Sequence, residues 1–198
     1  MTGLLYGIGI NDSPTPVTKK INGKRVWICP IYKHWIGMFG RCYSKPTHDN
    51  QPTYKGCCVH EEWCTYSRFK EWVLSQDWQG KQLDKDILIQ GNKVYSPETC
   101  VFVNRLTNCF ILDKSKARGK HKIGVSHNGI SYVAYCHDPF KRYKNYLGTF
   151  KTEDEAHEAW LSKKLEYAYE VIELESDLRV KEAIINRYVN YNKNPDNN

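Results

Sequence analysis

Four residues between Leu83 and Asn108 have the types and spacing for phosphoryl chemistry. Asp84 and Asp86 supply carboxylates, Lys85 stands between them, and Asn108 adds an amide. A hard divalent cation such as Mg²⁺ wants oxygen ligands and keeps several waters, so one or two carboxylates plus an amide oxygen can seat it. Such an ion polarises a phosphoryl oxygen and stabilises a leaving oxyanion. A basic group alongside positions or activates water, or offsets charge in the transition state. Asp84, Lys85, Asp86 and Asn108 are therefore the candidate catalytic set. Asp and Asn are also turn formers, and the same residues fit a plain solvated hairpin.

The set needs a scaffold, and the surrounding residues supply one. Leu83 to Ile89 has strand character, Gly91-Asn92 turn chemistry, and Ser96-Pro97-Glu98 a tight corner before a second strand, Cys100–Val103. Asn104 is placed to cap a helix whose first turn carries Asn108. A hairpin followed by such a helix predicts that Asp84, Lys85 and Asp86 face Asn108. Upstream, Ile31, Trp35, Met38 and Phe39 recur at helical spacing, with Arg41-Cys42-Tyr43 closing the pattern. Ser67, Phe69, Trp72 and Val73 suggest a second helix with Ser67 as its cap. Both stripes read as packing.

Composition narrows the function classes. The 198 residues fit one large domain or two small ones, and 40% hydrophobic with 13% aromatic content is enough for packed cores. A net charge of +7 favours an anionic partner. No apolar run reaches the roughly 18–20 residues of a membrane helix, and the start lacks the basic region of a signal peptide, so no membrane partner and a cytoplasmic location are expected. Eight cysteines, at 29, 42, 57, 58, 64, 100, 109 and 136, have irregular spacing and no CxxC pair. Free thiols in a reducing compartment are expected rather than disulfides or a structural Zn²⁺ site. Zinc held by Cys29, Cys42, Cys58 or Cys64 with His60 is the lesser alternative.

A second constellation follows a basic linker over 113–122. Ile123–Ser126, Ser131–Tyr135 and Asn145–Phe150 read as three strands, with His127-Asn128-Gly129 as a hairpin turn. Thr152-Glu153-Asp154-Glu155 is a capping box opening a helix with Ala156, Ala159 and Trp160 inward. Helical patterning continues to about Tyr191, and 192–198 is a polar tail. Between Lys114 and Lys151 stand nine Lys or Arg residues against Asp138 alone. The expected architecture is α+β, with an N-terminal domain over 1–112 and a three-stranded antiparallel sheet plus helix, with its helical extension, over 123–191. Basic residues on such a sheet anchor to phosphates while sheet side chains reach base edges.

Leu83-Asp84-Lys85, Tyr95-Ser96-Pro97-Glu98-Thr99-Cys100 and Asn108 resemble the HNH (ββα-metal) endonucleases, in their phage and intron-associated homing-endonuclease-like group. The likeness extends upstream through Cys29-Pro30-Ile31-Tyr32, Trp35, Met38, Arg41-Cys42-Tyr43 and Pro52-Thr53-Tyr54-Lys55-Gly56, with Trp63, Phe69 and Trp72. The resemblance implies an HNH-type DNA endonuclease in which Asp84 and Asn108 ligate one Mg²⁺ or Mn²⁺. It puts Lys85 where the family has its general-base His, and Thr99 where an Asn braces the loop. A lysine works as a base only when burial or nearby cations remove its proton, and Asp84 and Asp86 flank this one. Lys85 is therefore expected to contact phosphate, with Asp86 or a metal-bound hydroxide taking the proton.

Gly124-Val125, Tyr132-Val133-Ala134, Tyr146-Leu147-Gly148-Thr149-Phe150, Thr152, Glu155-Ala156 and Ala159 resemble the ERF (Apetala-two-type) DNA-binding domain of plant transcription factors. That fold also occurs fused to phage HNH endonucleases. The resemblance implies double-stranded DNA as partner, touched by Tyr132, Tyr135, Arg142 and Lys144, with Lys120 and Lys122 on phosphate. Ser126, His127 and Asn128 replace the plant motif's Arg-rich run, so base preference does not carry over. Two modules on one chain suit a monomer on an asymmetric site. The rival expectation is a DNA-binding regulator that keeps the nuclease fold without turnover.

Overall fold

The computed structural model describes residues 4–112, 120–141 and 143–193. It is a mixed α and β structure in two compact units, Met1–Phe102 and Val103–Asn198. This division falls earlier than the one expected after residue 112, and assigns the helix carrying Asn108 to the second unit.

The first unit begins with an antiparallel ribbon, β1 (Thr18–Ile21) and β2 (Lys24–Ile28), and leads into α1 (Pro30–Tyr43). Pro30 sits in the first turn of α1, where its missing N–H is no loss. The helical stripe lands as expected: Ile31, Trp35, Met38, Phe39 and Cys42 are buried. They pack on Trp63, Tyr66, Phe69 and Val73, and the Trp35 indole donates to the Trp63 carbonyl at 2.7 Å. After α2 (Lys45–Asn50), β3 (Cys58–Val59) leads to α3 (Tyr66–Leu74). Thr65 rather than Ser67 is the α3 N-cap residue. The cap itself arrives from far upstream, because Asp12 Oδ1 accepts the Ser67 backbone N–H at 2.9 Å.

The expected hairpin over 83–103 is redistributed. β4 (Gln82–Asp84) stops at Asp84 instead of running to Ile89, and pairs with β6 (Val101–Val103). Between them β5 (Val94–Tyr95) pairs in parallel with β3. Asp84 causes the early stop: its Oδ1 accepts the N–H groups of Asp86 at 2.9 Å and Ile87 at 2.8 Å. Those bonds turn the chain and take the donors a longer ladder would need.

In the second unit α4 (Arg105–Ile111) follows Asn104, which occupies the N-cap position without a side-chain cap bond. Buried Glu175 does that work. It accepts from the Asn104 backbone N–H, the Asn104 amide and the Thr107 hydroxyl. The three-stranded sheet is antiparallel in the order β7 (Val125–His127), β8 (Tyr132–His137), β9 (Lys144–Phe150). The first strand starts after Gly124, whose φ of +82° brings its backbone so close to Trp160 that no Cβ fits. Helix α5 (Glu153–Ile172) opens on the expected Thr152/Glu155 capping box and packs on β8 and β9. Helix α6 (Leu178–Val189) closes on it through Val180, Ile184 and Tyr188. Among the described residues, no helix is long and apolar enough to cross a membrane.

Candidate functional site

Asp84, Lys85 and Asp86 lie where β4 ends and a loop to β5 begins. The Asx turn described above holds the Asp84 carboxyl against its own chain. Lys85 turns inward: its side chain is 6% exposed, and Nζ donates to Asp86 Oδ2 at 2.9 Å and to the Asn92 carbonyl at 2.6 Å. Asn92 answers with its amide, donating to the Lys85 carbonyl at 2.6 Å and the Val94 carbonyl at 2.7 Å. Its Oδ1 accepts the Val94 N–H at 3.1 Å. The loop is thus clamped at both ends by Lys85 and Asn92, and the Asp86 side chain, 44% exposed, is held at its mouth.

This corrects one expectation. Lys85 was expected on phosphate, yet its burial and its two internal acceptors make it a pin for Asp86 and the loop. Thr99, by contrast, does brace: its hydroxyl donates to the Val94 carbonyl at 3.0 Å and lies 3.0 Å from that of Ser96.

Electrostatics favour a cation here. Burial pushes the Asp84 carboxyl from 3.8 up to about 6, and the charge of Asp86 adds to the rise against two backbone N–H bonds. Two adjacent carboxylates, one of them desolvated, are poorly compensated by Lys85 alone, which bonds Asp86. Tyr54 closes the same neighbourhood; its hydroxyl is pushed up by burial and feels Arg41, Lys85, Asp86 and Asp84. Arg41 donates to the Tyr95 hydroxyl at 2.6 Å and lies 5.1 Å from that ring's centroid. Asn92, Tyr54, Tyr95 and Arg41 were not legible as site residues. The signal in Arg41 was a lone guanidinium on a helix face otherwise read as packing.

Asn108 stands on α4 in the second unit. His60 is tied to β5, its N–H donating to the Tyr95 carbonyl at 2.9 Å, and its buried Nδ1 has no hydrogen-bond partner among the described residues. All eight cysteines are free thiols. Burial drives Cys42 and Cys100 up to about 12. Among the described residues, no group of three or more His, Cys, Asp or Glu is arranged to hold a metal.

In the second unit, Tyr132, Tyr135 and Lys144, of the residues expected to touch nucleic acid, stand on the sheet. Tyr135 and Tyr146 are exposed neighbours with centroids 5.7 Å apart, and the Lys144 ammonium lies 5.9 Å from the Tyr135 centroid. Tyr132 stands against His127 and His121 at 4.7 and 5.8 Å. Val133, Ala134 and Cys136 of the same strand are buried. Lys120 and Lys122 are exposed, but Lys122 pairs with Asp154 at 2.7 Å, so its charge is partly answered within the chain. Arg142 and residues 113–119 of the expected linker lie outside the described residues.

Comparison with known proteins adds no relative. No family model matches the chain, and neither a curated protein nor a solved structure matches it.

Proposed function

We propose that the chain is a metal-dependent DNA endonuclease of the HNH-like kind. The observation that carries this reading is the pair Asp84 and Asp86, one desolvated and one at the loop mouth, fixed by Lys85 and Asn92. A Mg²⁺ or Mn²⁺ ion fits that donor set, since hard oxygen ligands and a carboxylate charge in excess of Lys85 are what such an ion needs. When bound, it supplies Lewis-acid polarisation of the phosphodiester.

The chain's own residues then divide the work. Asp84 is held by its turn so that it does not reorient. Lys85 keeps Asp86 aimed at the loop mouth, where an exposed carboxylate can accept a proton from water. Asn108 is the resemblance's second ligand, and Asn108→Ala tests that assignment by itself. The aromatic and basic face of β7–β9 supports duplex DNA as the substrate, since cations beside exposed rings suit phosphate and base contacts together.

The second reading, a DNA-binding regulator without turnover, is favoured by Lys85, which lies buried where the resembled family has a general base. Nicking of supercoiled plasmid in Mg²⁺ or Mn²⁺ decides between them, with EDTA and Asp84→Ala as controls. Metal-dependent conversion abolished by Asp84→Ala supports the nuclease. Tight binding with no cleavage in either metal overturns it.

A further inference from the structure

Outside both sites, the N-terminal ribbon has a composition that folding does not explain. Lys19, Lys20, Lys24 and Arg25 crowd two short strands, and the nearest carboxylate before them in sequence is Asp12. Lys20 stands directly opposite Arg25 in the register, a like-charged cross-strand pair that weakens a hairpin. Isolated two-stranded ribbons are marginal in water to begin with. None of the four cations makes an ion pair among the described residues. Ile21, Val26 and Trp27 are exposed as well, at 62%, 55% and 43%.

The ribbon is nevertheless firmly built. Asn22 at φ 49° and Gly23 at φ 76° form a tight two-residue turn of the type whose twist suits a hairpin. A bulge between Lys19 and Lys20 leaves Val26 as the extra residue, which sharpens the twist. Its base is tied down where the Cys29 N–H donates to the Val17 carbonyl at 2.8 Å, both residues packing on the core. The result is an anchored finger with a cationic, partly apolar tip.

We propose that β1–β2 is a groove-binding finger for duplex DNA. A two-stranded ribbon matches the width of the major groove, the four cations match the phosphate rails on either side, and Trp27, Ile21 and Val26 offer apolar contact to base edges. The finger belongs to the first unit and the β7–β9 sheet to the second. Only the choice of polymer rests on the proposed function.

The test is fluorescence anisotropy of the full chain on a labelled 30-base-pair duplex, in EDTA so that no cleavage occurs, across KCl concentrations. Neutralising Lys20→Gln, Lys24→Gln and Arg25→Gln together should lower the slope of log affinity against log salt by about 2.7, at roughly 0.9 per phosphate contact. Lys20→Arg with Lys24→Arg should leave the slope unchanged. If the triple variant does not fold, Lys24→Gln at the exposed turn should lower the slope by about 0.9. An unchanged slope in the neutralised variants overturns the finger. So does ribbon-dependent binding that is tighter to anionic phosphatidylglycerol vesicles or to single-stranded RNA than to the duplex. The plasmid assay on the parent chain separates the two proposals: a parent that never cleaves in Mg²⁺ or Mn²⁺ but shows the ribbon-dependent slope keeps the finger and loses the nuclease.

Discussion

Replacing Asp84 with Asn keeps the shape of the turn and removes one charge, so its effect can be worked from the structure. Asn retains an oxygen to accept the Asp86 and Ile87 N–H groups that Asp84 Oδ1 now takes. What disappears is the cost of ionising a buried carboxyl beside Asp86, which raises it from 3.8 to about 6. A raised folded-state value means the stabilisation belongs to the protonated form. It is complete below the ordinary value of 3.8 and lost as pH climbs through about 6. At about 1.4 kcal/mol per unit, the ceiling is about 3 kcal/mol. Solvent at the mouth, where Asp86 is 44% exposed, brings the expectation down to about 1–2 kcal/mol. In EDTA, Asp84→Asn should therefore match the parent near pH 4 and melt higher at pH 7.5, by roughly 2–8 °C at about 2–4 °C per kcal/mol. Mg²⁺ should raise the parent's melting temperature at pH 7.5 through binding linkage, and leave the variant unmoved. Thermal melts at paired pH values, with and without metal, read all of this. A variant less stable than the parent at pH 7.5 in EDTA, or a difference that does not change with pH, refutes the electrostatic account of the site.

Three further outcomes follow from particular contacts. Lys85→Met leaves the Asn92 carbonyl without its ammonium donor and frees Asp86 into water, which should cost about 1–3 kcal/mol in chemical denaturation. It should also leave the salt slope of DNA binding unchanged, whereas a fall of about 0.9 would make Lys85 a phosphate contact after all. Glu175→Ala strands the Asn104 N–H and the Thr107 hydroxyl and leaves the Asn104 amide only its bond to the Leu174 carbonyl. A loss of about 3 kcal/mol is expected, with Glu175→Gln, which keeps an oxygen acceptor, losing less than half of that. Gly124→Ala puts a Cβ 2.1 Å from the Trp160 ring at φ +82°; overpacking and backbone strain together should cost at least about 2 kcal/mol. A melting temperature within a degree of the parent's would show that the strand entry adjusts freely.

Where local chemistry decides conformation, the residues alone were enough. The α1 stripe, the Thr152/Glu155 box and the three strands of the second unit follow from 3.6- and 2-residue periodicities and from caps whose partners lie within a turn. The Asp84-Lys85-Asp86 cluster was legible for the same reason, being contiguous. The β1–β2 ribbon and its Asn22-Gly23 turn were not read from the sequence, and the ribbon's basic character shows only once its exposure is seen.

Tertiary structure decided what depends on partners distant in sequence. Asp12 caps α3 in place of Ser67, Glu175 satisfies the start of α4 in place of Asn104, and β5 leaves the expected hairpin to pair with β3. Each is a competition for a backbone donor or acceptor, and periodicity cannot say which of several polar groups arrives first. Lys85 is the instructive residue. Its type and neighbours pointed to a surface cation on phosphate, but the loop folds back through Asn92 and encloses it. A side chain's charge is written in the sequence; whether water or a carbonyl meets that charge is settled only by packing.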